Sequence, residues 1–423
     1  MGVKIAVVGG GSTYTPELVE GFATREERLR VDELALLDID TERLDVVGGL
    51  ARRMLDHRGW GGRLVTTTDR DAAIDGADFV VVQLRVGGQA ARLRDETTPL
   101  RFGCVGQETT GAGGFAKALR TVPVVLELAE HVDRRAAPDA WIVDFTNPVG
   151  IVTQALLDAG HRAIGLCNVA IGFQRSFAAR FGVDPSRVEL EHVGLNHLTW
   201  ERAIKVDGID RLPELLADEP EALADQVGMP SELILALRAV PSYYLAYYYL
   251  TSDKVEAQGS GKTRAEEVME IERKLLDLYR DPKLVTKPAL LERRGGAFYS
   301  EAAAQLIASL HAGTGDVQVV DVRNEGALPD LPDDAVVEIP ARIDRDGAHP
   351  LPLAPLAPEM RGLVQAMKAY EELTIEAALS GDRGIALKAL LANPLVPDLL
   401  TARPLLAALL DSDRALLPRF FPA

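Results

Sequence analysis

The segment from Val3 to Pro16 constrains the fold more than any other part of the sequence. A short apolar run, Val3 to Val8, breaks into three glycines, Gly9, Gly10 and Gly11, and a segment of helical character follows. This order predicts a strand, a tight turn and a helix. Glycines let backbone N–H groups approach a pyrophosphate, and the N-terminal end of a helix favours negative charge. The segment therefore predicts a dinucleotide site.

A second buried-strand pattern, Leu34 to Leu37, ends directly at Asp38. In dinucleotide-binding domains a carboxylate at this place accepts hydrogen bonds from the adenosine ribose hydroxyls. Because Asp38 would repel the 2′-phosphate of NADP, the pattern favours NAD. Tyr14 replaces the third glycine of the usual G-x-G-x-x-G motif, so the glycine turn alone would also fit an ordinary tight turn.

Strand and helix patterns alternate through the first half of the chain. Strands are predicted at Phe79 to Gln83, Trp141 to Phe145 and Arg162 to Leu166, and helices at Glu42 to His57 and Ala116 to Asp133. Such alternation predicts an α/β fold with a Rossmann-like, doubly wound parallel sheet. Ligands of these sheets bind at the carboxyl ends of the strands.

The alternation stops near residue 196. A strand is predicted from Glu201 to Val206 and a long helix from Thr263 to Tyr279, with acidic helices between them. We therefore predict two domains, an NAD-binding Rossmann-like domain over residues 1–195 and a mixed α+β domain over residues 196–423. The second domain is expected to contribute to the substrate and metal site and to the contacts of an oligomer.

The charge balance disfavours a nucleic-acid partner. The 423 residues include 46 basic and 63 acidic side chains, a formal net charge of −17, whereas a phosphate backbone needs clustered lysine and arginine. No apolar run approaches the length of a membrane span, and no apolar leader precedes Val3, so we expect a cytoplasmic protein without a membrane partner.

Two polar motifs follow strand patterns and are candidates for chemistry. Cys167 comes after the strand that ends at Leu166, and His197 follows the strand-like run from Val188 to Val193. A thiolate and an imidazole at strand ends could share a divalent ion and leave positions open for a substrate. Either residue alone would equally suit a buried structural position.

Loops rich in glycine and charge supply further candidates. Arg85 and Arg92 lie in one such loop, and Glu108 lies in a segment with four glycines between residues 106 and 114. Loops of this kind usually serve a ligand. Asn147 ends another strand pattern, where its amide could bind the nicotinamide ribose or a sugar hydroxyl.

Taken in order, these motifs resemble those of glycoside hydrolase family 4. The matching segments are GGGSTYTP at 9–16, RVGG at 85–88, GQETTG at 106–111, TNP at 146–148, CNV at 167–169, GLNH at 194–197, PSYYL at 241–245, TR at 263–264, RGGA at 294–297 and VEIP at 337–340. Alanine stands at Ala112 and Ala170, where the family commonly has proline.

The resemblance implies a glycosidase that works by redox chemistry and not with the usual pair of carboxylates. Bound NAD+ takes a hydride from sugar C3, and the ketone acidifies the hydrogen on C2. Removal of that proton expels the aglycone from C1. Water then adds, and the hydride returns to C3. A manganese ion, or another divalent metal, stabilises the enolate.

The resemblance also assigns roles to residues. Tyr244 is expected to be the base at C2, although five tyrosines lie between Tyr243 and Tyr249, and Glu108 is expected to assist catalysis or orient the metal site. The metal ligands are expected to be Cys167 and His197. Substrate contacts are expected from Arg92, Asn147, Asn168 and Arg264, and NAD contacts from Gly9, Gly10, Gly11, Ser12, Thr13, Asp38, Arg85 and Asn147.

The residue after the metal-binding cysteine sorts substrates within the family. Aspartate accompanies α-glycosides and asparagine accompanies 6-phospho-β-glucosides, so Asn168, expected at the reaction centre, implies a 6-phospho-β-glucosidase. Cellobiose 6-phosphate and related phosphorylated β-glucosides are the implied substrates, and a homodimer or homotetramer is the implied assembly.

Three alternatives remain open from the sequence. Another glycosidase of the family would take an α-linked or unphosphorylated substrate. A 2-hydroxyacid dehydrogenase would share the nucleotide domain, but it would have no need of a metal beside a Gly-Leu-Asn-His motif. A non-catalytic NAD-binding sensor would tolerate loss of Cys167, His197 and Tyr244.

Overall fold

The computed structural model describes residues 2–296 and 298–422. Ala297, the last residue of the RGGA motif, lies outside the described residues. Within these two stretches, no helix has the length and apolar character needed to cross a membrane.

The described strands form two sheets. The large sheet has the order β13-β12-β11-β6-β5-β4-β1-β2-β3, and the small sheet has the order β10-β8-β7, with β9 paired to β8. The strands are β1 (Val3–Val8), β2 (Val31–Leu37), β3 (Arg63–Thr67), β4 (Phe79–Val82), β5 (Trp141–Asp144), β6 (Ala163–Gly165), β7 (Val188–Leu195), β8 (Leu198–Val206), β9 (Ile209–Asp210), β10 (Val240–Pro241), β11 (Asp316–Arg323), β12 (Val336–Asp344) and β13 (Gly347–Pro350).

Helices cover both faces of the large sheet and form much of the second half of the chain. They are α1 (Thr15–Ala23), α2 (Thr41–Arg58), α3 (Arg70–Ile74), α4 (Gly88–Leu100), α5 (Gly111–Arg135), α6 (Val149–Asp158), α7 (Val169–Phe181), α8 (Leu212–Asp218), α9 (Pro220–Val227), α10 (Ser231–Leu237), α11 (Ala246–Tyr249), α12 (Thr251–Gly259), α13 (Arg264–Tyr279), α14 (Tyr299–Ala312), α15 (Pro358–Ser380), α16 (Arg383–Ala392) and α17 (Leu399–Ser412).

The predicted α/β fold is confirmed. Strands β3, β2, β1, β4, β5 and β6 are parallel and follow the order of a dinucleotide-binding sheet. These strands are almost continuously apolar because both faces are buried: Val7 and Val81 pack into one core, and Ala6 and Val80 pack into the other. The strand order reverses between β1 and β4, which is where such sheets bind ligands.

The second half of the chain extends the first sheet. β11 runs antiparallel to β6, with Asp321 opposite Gly165, and β12 and β13 continue outward as antiparallel strands. β7 and β8 form the centre of the separate antiparallel sheet. This mixture of helices and antiparallel strands agrees with the predicted α+β character, and the division into domains at residue 195 stays a prediction.

The two family departures, Ala112 and Ala170, lie in first turns of helices. Ala112 is the second residue of α5 and Ala170 the second residue of α7. Proline is tolerated in the first turn because the backbone N–H groups there have no partner within the helix. Both alanines are buried, so they change packing in the first turn and leave the helices in place.

A buried ion network ties the C-terminal segment to the first half. The guanidinium of Arg120 in α5 donates to both carboxylate oxygens of Asp95 and, at 2.8 Å, to Asp413. Arg94 also donates to Asp413, at 2.9 Å. Only 1% of each side chain of Arg120, Asp95 and Asp413 is exposed.

Removing one member of this network should destabilise the fold strongly. Asp413→Ala leaves the buried charge of Arg120 without one of its partners, so we expect the free energy of unfolding to fall by about 3–5 kcal/mol. Asp32→Ala, at the exposed Arg30–Asp32 pair, is the control and should cost at most about 1 kcal/mol. Urea unfolding followed by circular dichroism measures both. Equal losses in the two variants would contradict the account of the network.

Candidate active site

The glycine-rich turn connects β1 to α1 as predicted. Gly9 has a φ of 89°, and a Cβ there would lie 2.6 Å from the carbonyl oxygen of Gln83, so only glycine fits this close approach. The N–H groups of Gly9 and Gly10 donate to the carbonyl of Leu37, at 2.9 and 2.8 Å. These contacts hold the turn across the ends of β1 and β2.

Asp38 lies beside this turn with both carboxylate oxygens held by backbone. Oδ2 accepts from the N–H of Gly11 at 2.8 Å, and Oδ1 accepts from the N–H of Asp40 at 3.0 Å. The neighbouring side chain of Ile39 is 94% exposed, which is unusual for a large aliphatic residue. An exposed apolar side chain next to an oriented carboxylate is suited to a ligand with both an apolar ring and hydroxyl groups.

Tyr14, which replaces the third glycine, has a packing role. Its ring is buried and meets the ring of Tyr299 edge-on, with the ring centroids 6.3 Å apart. Its hydroxyl oxygen accepts from the N–H of Ser300 at 3.0 Å. Burial raises the pKa of Tyr14, so the phenol keeps its proton. Tyr14 thus joins the turn to α14.

Residues from the second half also reach the turn. Arg294 Nε donates to Thr13 Oγ1 at 2.7 Å, and a second guanidinium nitrogen lies 3.4 Å from Ser12 Oγ. The buried carboxylate of Glu272 accepts from Arg294 at 3.1 Å and from Gln89 at 3.1 Å. Sequence analysis missed Glu272, and it included Arg294 only within a motif. Their separation of more than 250 residues from the turn gave no local signal.

Three cations converge on the predicted residue Glu108. Two guanidinium nitrogens of Arg85 donate to the two carboxylate oxygens of Glu108. Lys117 Nζ lies 2.6 Å from Glu108 Oε2, and Arg92 Nε lies 3.3 Å from Glu108 Oε1. Burial opposes ionisation of Glu108, but these charges hold its pKa well below the usual range. Arg85, predicted to contact NAD, therefore also positions Glu108.

Lys117 is a site residue that sequence analysis missed. Its side chain is 2% exposed, and burial together with the charge of Arg85 lowers its pKa to about 7, which the charge of Glu108 opposes. The available signal was a lysine in the first turns of α5, within an otherwise small and apolar segment. Buried lysines are rare unless they are paired.

Glu96 joins the predicted substrate residue Arg92 to the first turn of α13, which begins at the other predicted substrate residue, Arg264. Arg92 Nε donates to Glu96 Oε1 at 2.8 Å, and Glu96 Oε2 accepts from the N–H of Ala265 at 2.7 Å. The Arg264 side chain itself is 45% exposed and pairs with Glu267 at 3.0 Å. It also donates to the carbonyl of Arg293 at 2.9 Å. The Arg264 side chain is thus exposed, whereas the Arg92 side chain is largely buried.

Asn147 and Asn168 follow strands β5 and β6. Asn147 precedes Pro148 through a cis peptide bond, and its buried Oδ1 has no hydrogen-bond partner among the described residues. Asn168 is half-buried and is the N-cap residue of α7. Both residues therefore lie at the carboxyl ends of parallel strands, where ligands of this fold bind.

His197 lies in the two-residue turn between β7 and β8. It adopts a left-handed conformation with a φ of 63°, and its side chain is buried. Its Nδ1 atom has no hydrogen-bond partner within residues 2–296 and 298–422. Burial lowers the pKa of the imidazole to about 4, so the ring is neutral at pH 7. A strained backbone and a neutral, unpaired nitrogen are typical of a ligand-binding position.

The structure brings Cys167, His197 and Tyr244 together. The rings of His197 and Tyr244 are stacked, with centroids 3.8 Å apart and planes inclined by 20°. Burial raises the pKa of Tyr244 well above its usual value, and the nearby Tyr243 and Cys167 raise it further. Burial likewise raises the pKa of the Cys167 thiol. The proximity of these groups defines one polar cluster at the end of β6.

The five tyrosines between residues 243 and 249 take different positions. Tyr247 is near Gln107, Arg92 and Glu96, and Tyr248 donates its hydroxyl proton to Met367 Sδ at 3.4 Å. Tyr243 packs beside Tyr244, and the residue is 44% exposed. The ring of Tyr244 stacks on the ring of His197, which distinguishes this tyrosine from its neighbours.

Cys167 and His197 fit a metal ion that takes its remaining ligands from outside the chain. His197 has a buried Nδ1 atom without a hydrogen-bond partner among the described residues, and Cys167 is a buried free thiol. Across the described stretches, no group of three or more His, Cys, Asp or Glu side chains is placed to hold a metal. A site with two protein ligands leaves coordination positions open for a substrate.

Two family models cover nearly the whole chain. Residues 4–183 match the model described as family 4 glycosyl hydrolase, and residues 192–396 match the model of its C-terminal domain. The match confirms the prediction of a glycosidase. It favours this function over the two alternatives of a dehydrogenase and a non-catalytic sensor.

Individual relatives agree with this match. A Bacillus subtilis (strain 168) protein described as a probable 6-phospho-β-glucosidase is 42% identical, covering 99% of this chain and 98% of the relative. A phospho-α-glucosidase of Clostridium acetobutylicum is 30% identical over 97% and 98% of the two chains.

A solved structure is also similar over nearly the full length. The Thermotoga maritima 6-phospho-β-glucosidase, solved with manganese, NAD+ and glucose-6-phosphate, has a TM-score of 0.91 and 37% identity, covering 98% of this chain and 99% of that one. On the strength of its sequence, its fold and the cluster at the end of β6, the chain belongs to glycosyl hydrolase family 4.

Proposed function

We propose that the protein is an NAD+- and Mn2+-dependent 6-phospho-β-glucosidase. The observation that carries this proposal is the cluster of Cys167, His197 and Tyr244 at the carboxyl end of β6. The cluster lies on the same edge of the sheet as the glycine-rich turn, because both follow parallel strands. A redox cofactor and a metal would thus share one cleft.

The residues of the turn suit NAD+. The turn from Gly9 to Thr13 supplies backbone N–H and hydroxyl groups for the pyrophosphate, the fixed carboxylate of Asp38 suits ribose hydroxyls, and exposed Ile39 suits the adenine ring. When bound, the dinucleotide supplies a hydride acceptor for sugar C3, and a divalent ion supplies a Lewis acid. Asn147, with its unpaired amide oxygen, is placed to accept a hydrogen bond from a hydroxyl of the ribose or the sugar.

Tyr244 is proposed to remove the proton from sugar C2. The Tyr244 phenol keeps its proton and is uncharged in the structure, since burial raises its pKa. Positive charge beside the phenol would lower this pKa and make the oxygen a base. Glu108 is proposed to support the reaction by holding Arg85, Arg92 and Lys117 around the cleft.

Two observations support the β-branch and a phosphorylated substrate. Asn168 cannot donate a proton to a leaving group as an aspartic acid could, and the 42% identical relative carries the 6-phospho-β-glucosidase description, whereas the α-acting relative is 30% identical. Arg92, which is largely buried, and Arg264, which is exposed, are proposed to bind the substrate together with Asn147 and Asn168.

We propose that the protein acts in the cytoplasm, where phosphorylated disaccharides such as cellobiose 6-phosphate would be available. We also propose that it assembles as a homodimer or homotetramer. Residues 1–195 would bind NAD, and residues 196–423 would contribute to the substrate and metal site and to oligomer contacts.

Hydrolysis of p-nitrophenyl β-glucoside 6-phosphate tests the proposal directly. The release of p-nitrophenol is measured with and without NAD+ and Mn2+, in parallel with the unphosphorylated and α-linked analogues. We expect turnover only when both cofactors are present and only with the phosphorylated β-substrate. Activity on the α-linked analogue would contradict the branch, and activity without either cofactor would contradict the redox mechanism.

Three substitutions should strongly lower turnover and leave the dinucleotide site intact. Tyr244→Phe removes the base and should lower kcat about 100- to 10,000-fold. Cys167→Ser and His197→Ala remove the two protein ligands and should weaken Mn2+ binding as well. Isothermal titration of NAD+ should give wild-type affinity for all three variants.

Tyr248→Phe is the matched control for Tyr244→Phe. The Tyr248 hydroxyl contacts Met367, so its loss should change kcat by less than about twofold, whereas loss of a general base costs far more. Full activity of Cys167→Ser without added metal would refute the role of the cluster.

A further inference from the structure

The carboxylate of Glu338 joins the two sheets next to the turn that carries His197. Oε2 accepts from Asn196 Nδ2 at 2.7 Å, and Oε1 lies 2.9 Å from His192 Nε2. Glu338 belongs to β12 of the large sheet, whereas Asn196 and His192 belong to the β7–β8 hairpin of the small sheet. Both oxygens of one carboxylate thus bind the same hairpin.

His192 completes a buried chain of charges. It pairs across strands with Glu201, and its Nδ1 lies 2.6 Å from Glu201 Oε1. The side chains of His192, Glu201 and Glu338 are at most 2% exposed. Although burial disfavours the charged ring, the two carboxylates raise the pKa of His192 to about 10. His192 is therefore an imidazolium that donates from both ring nitrogens.

Glu338 also lies level with the strand end that carries Cys167. Gly165 of β6 is opposite Asp321 of β11, and Asp321 is opposite Glu338 of β12. Cys167 follows Gly165 by two residues. Asn196, which donates to Glu338, directly precedes His197. Glu338 therefore binds the turn of one proposed metal ligand and lies beside the strand end of the other.

We infer that Glu338 is a positioning residue for the metal site, because it holds the turn of Asn196 and His197 against the strand end that carries Cys167. The inference rests on the proposed function of that site. The two ligands come from different sheets, so their separation depends on how the sheets are joined. Glu338 pairs with His192, which in turn pairs with Glu201. This buried group fixes the junction of the sheets next to the ligands.

A purely structural role fits these residues less well. Replacing a buried ion group by apolar residues of similar volume is often neutral or stabilising, because burial of charge is costly. The turn between β7 and β8 also holds His197 in a left-handed conformation, which costs free energy for any residue other than glycine. Outer partners that orient metal ligands commonly change metal affinity by 10- to 100-fold when they are removed.

Binding of Mn2+ to Glu338→Gln tests the inference. The amide keeps the volume of the side chain but accepts through one oxygen only, so it cannot satisfy both His192 and Asn196. We expect the Kd for Mn2+, measured from the electron paramagnetic resonance signal of the free ion, to rise about 10- to 100-fold. The Kd for NAD+, measured by calorimetry, should stay within about twofold of the wild-type value, since the hydrogen bonds of the nucleotide turn within the described residues involve none of these side chains.

Two further variants separate positioning from stability. Asn196→Ala removes a single hydrogen bond at the turn and should weaken Mn2+ binding in the same direction; it decides the question if Glu338→Gln does not fold. His161→Gln is the control, because His161 is also buried and pairs with a carboxylate, Asp133, at 2.8 Å. His161 precedes β6, at the opposite end of the strand from Cys167, so its loss should leave the Kd for Mn2+ unchanged.

The outcomes distinguish this inference from the function on which it rests. Weaker Mn2+ binding in Glu338→Gln and Asn196→Ala, but not in His161→Gln, supports a positioning role. Wild-type Mn2+ affinity in folded Glu338→Gln and Asn196→Ala would overturn it and leave the proposed metal site standing. Failure of the wild-type protein itself to bind Mn2+ would overturn both.

Discussion

The packing of the small sheet against the large sheet sets the geometry on which the site depends. Cys167 follows the last parallel strand of the large sheet, and His197 lies at the turn of a hairpin in the small sheet. Neither sheet alone would bring a thiol and an imidazole together. Strand β12 bridges them, because it extends the large sheet through β11 and binds the β7–β8 hairpin through Glu338.

Three buried carboxylates organise three regions of the cleft. Glu272 holds Arg294 and Thr13 at the nucleotide turn, Glu108 gathers Arg85, Arg92 and Lys117, and Glu338 holds the hairpin of His197. Burying a charge is costly unless partners compensate for the lost hydration. Each carboxylate has such partners, so each fixes the orientation of the side chains that contact it. These hydrogen bonds and ion pairs preorganise the residues around the proposed site.

Sequence patterns predicted the parts of the site that depend on local chain geometry. The predicted strands that precede the glycine turn and Asp38 are present, since each of these features depends on a single strand end. The family motifs brought Cys167, His197 and Tyr244 into one hypothesis, and the structure brings the three side chains together. The ends of α13 were predicted to within one residue, because its capping box at Thr263 and Glu266 is a local signal. The start of α5 was predicted at Ala116, whereas the helix begins at Gly111.

Features that depend on distant parts of the chain could not be predicted in this way. The antiparallel pairing of β11 with β6 joins residues more than 150 positions apart, and no local pattern specifies it. The contact of Arg294 with Thr13 spans 281 positions. Lys117 was missed because a single lysine in an apolar helix does not reveal its partner Glu108. The exposed position of Arg264 reflects its contacts with the Arg293 carbonyl and Glu267, which only the folded chain shows.

We propose that the glycosidic bond breaks by removal of the proton from C2 and not by direct displacement at C1. Hydrolysis in D2O tests it most directly, with the released glucose 6-phosphate isolated and its C2 position examined by proton nuclear magnetic resonance. The account predicts that deuterium replaces hydrogen at C2 in the product, since a base such as Tyr244 exchanges its proton with solvent. Product that retains hydrogen at C2 would contradict it.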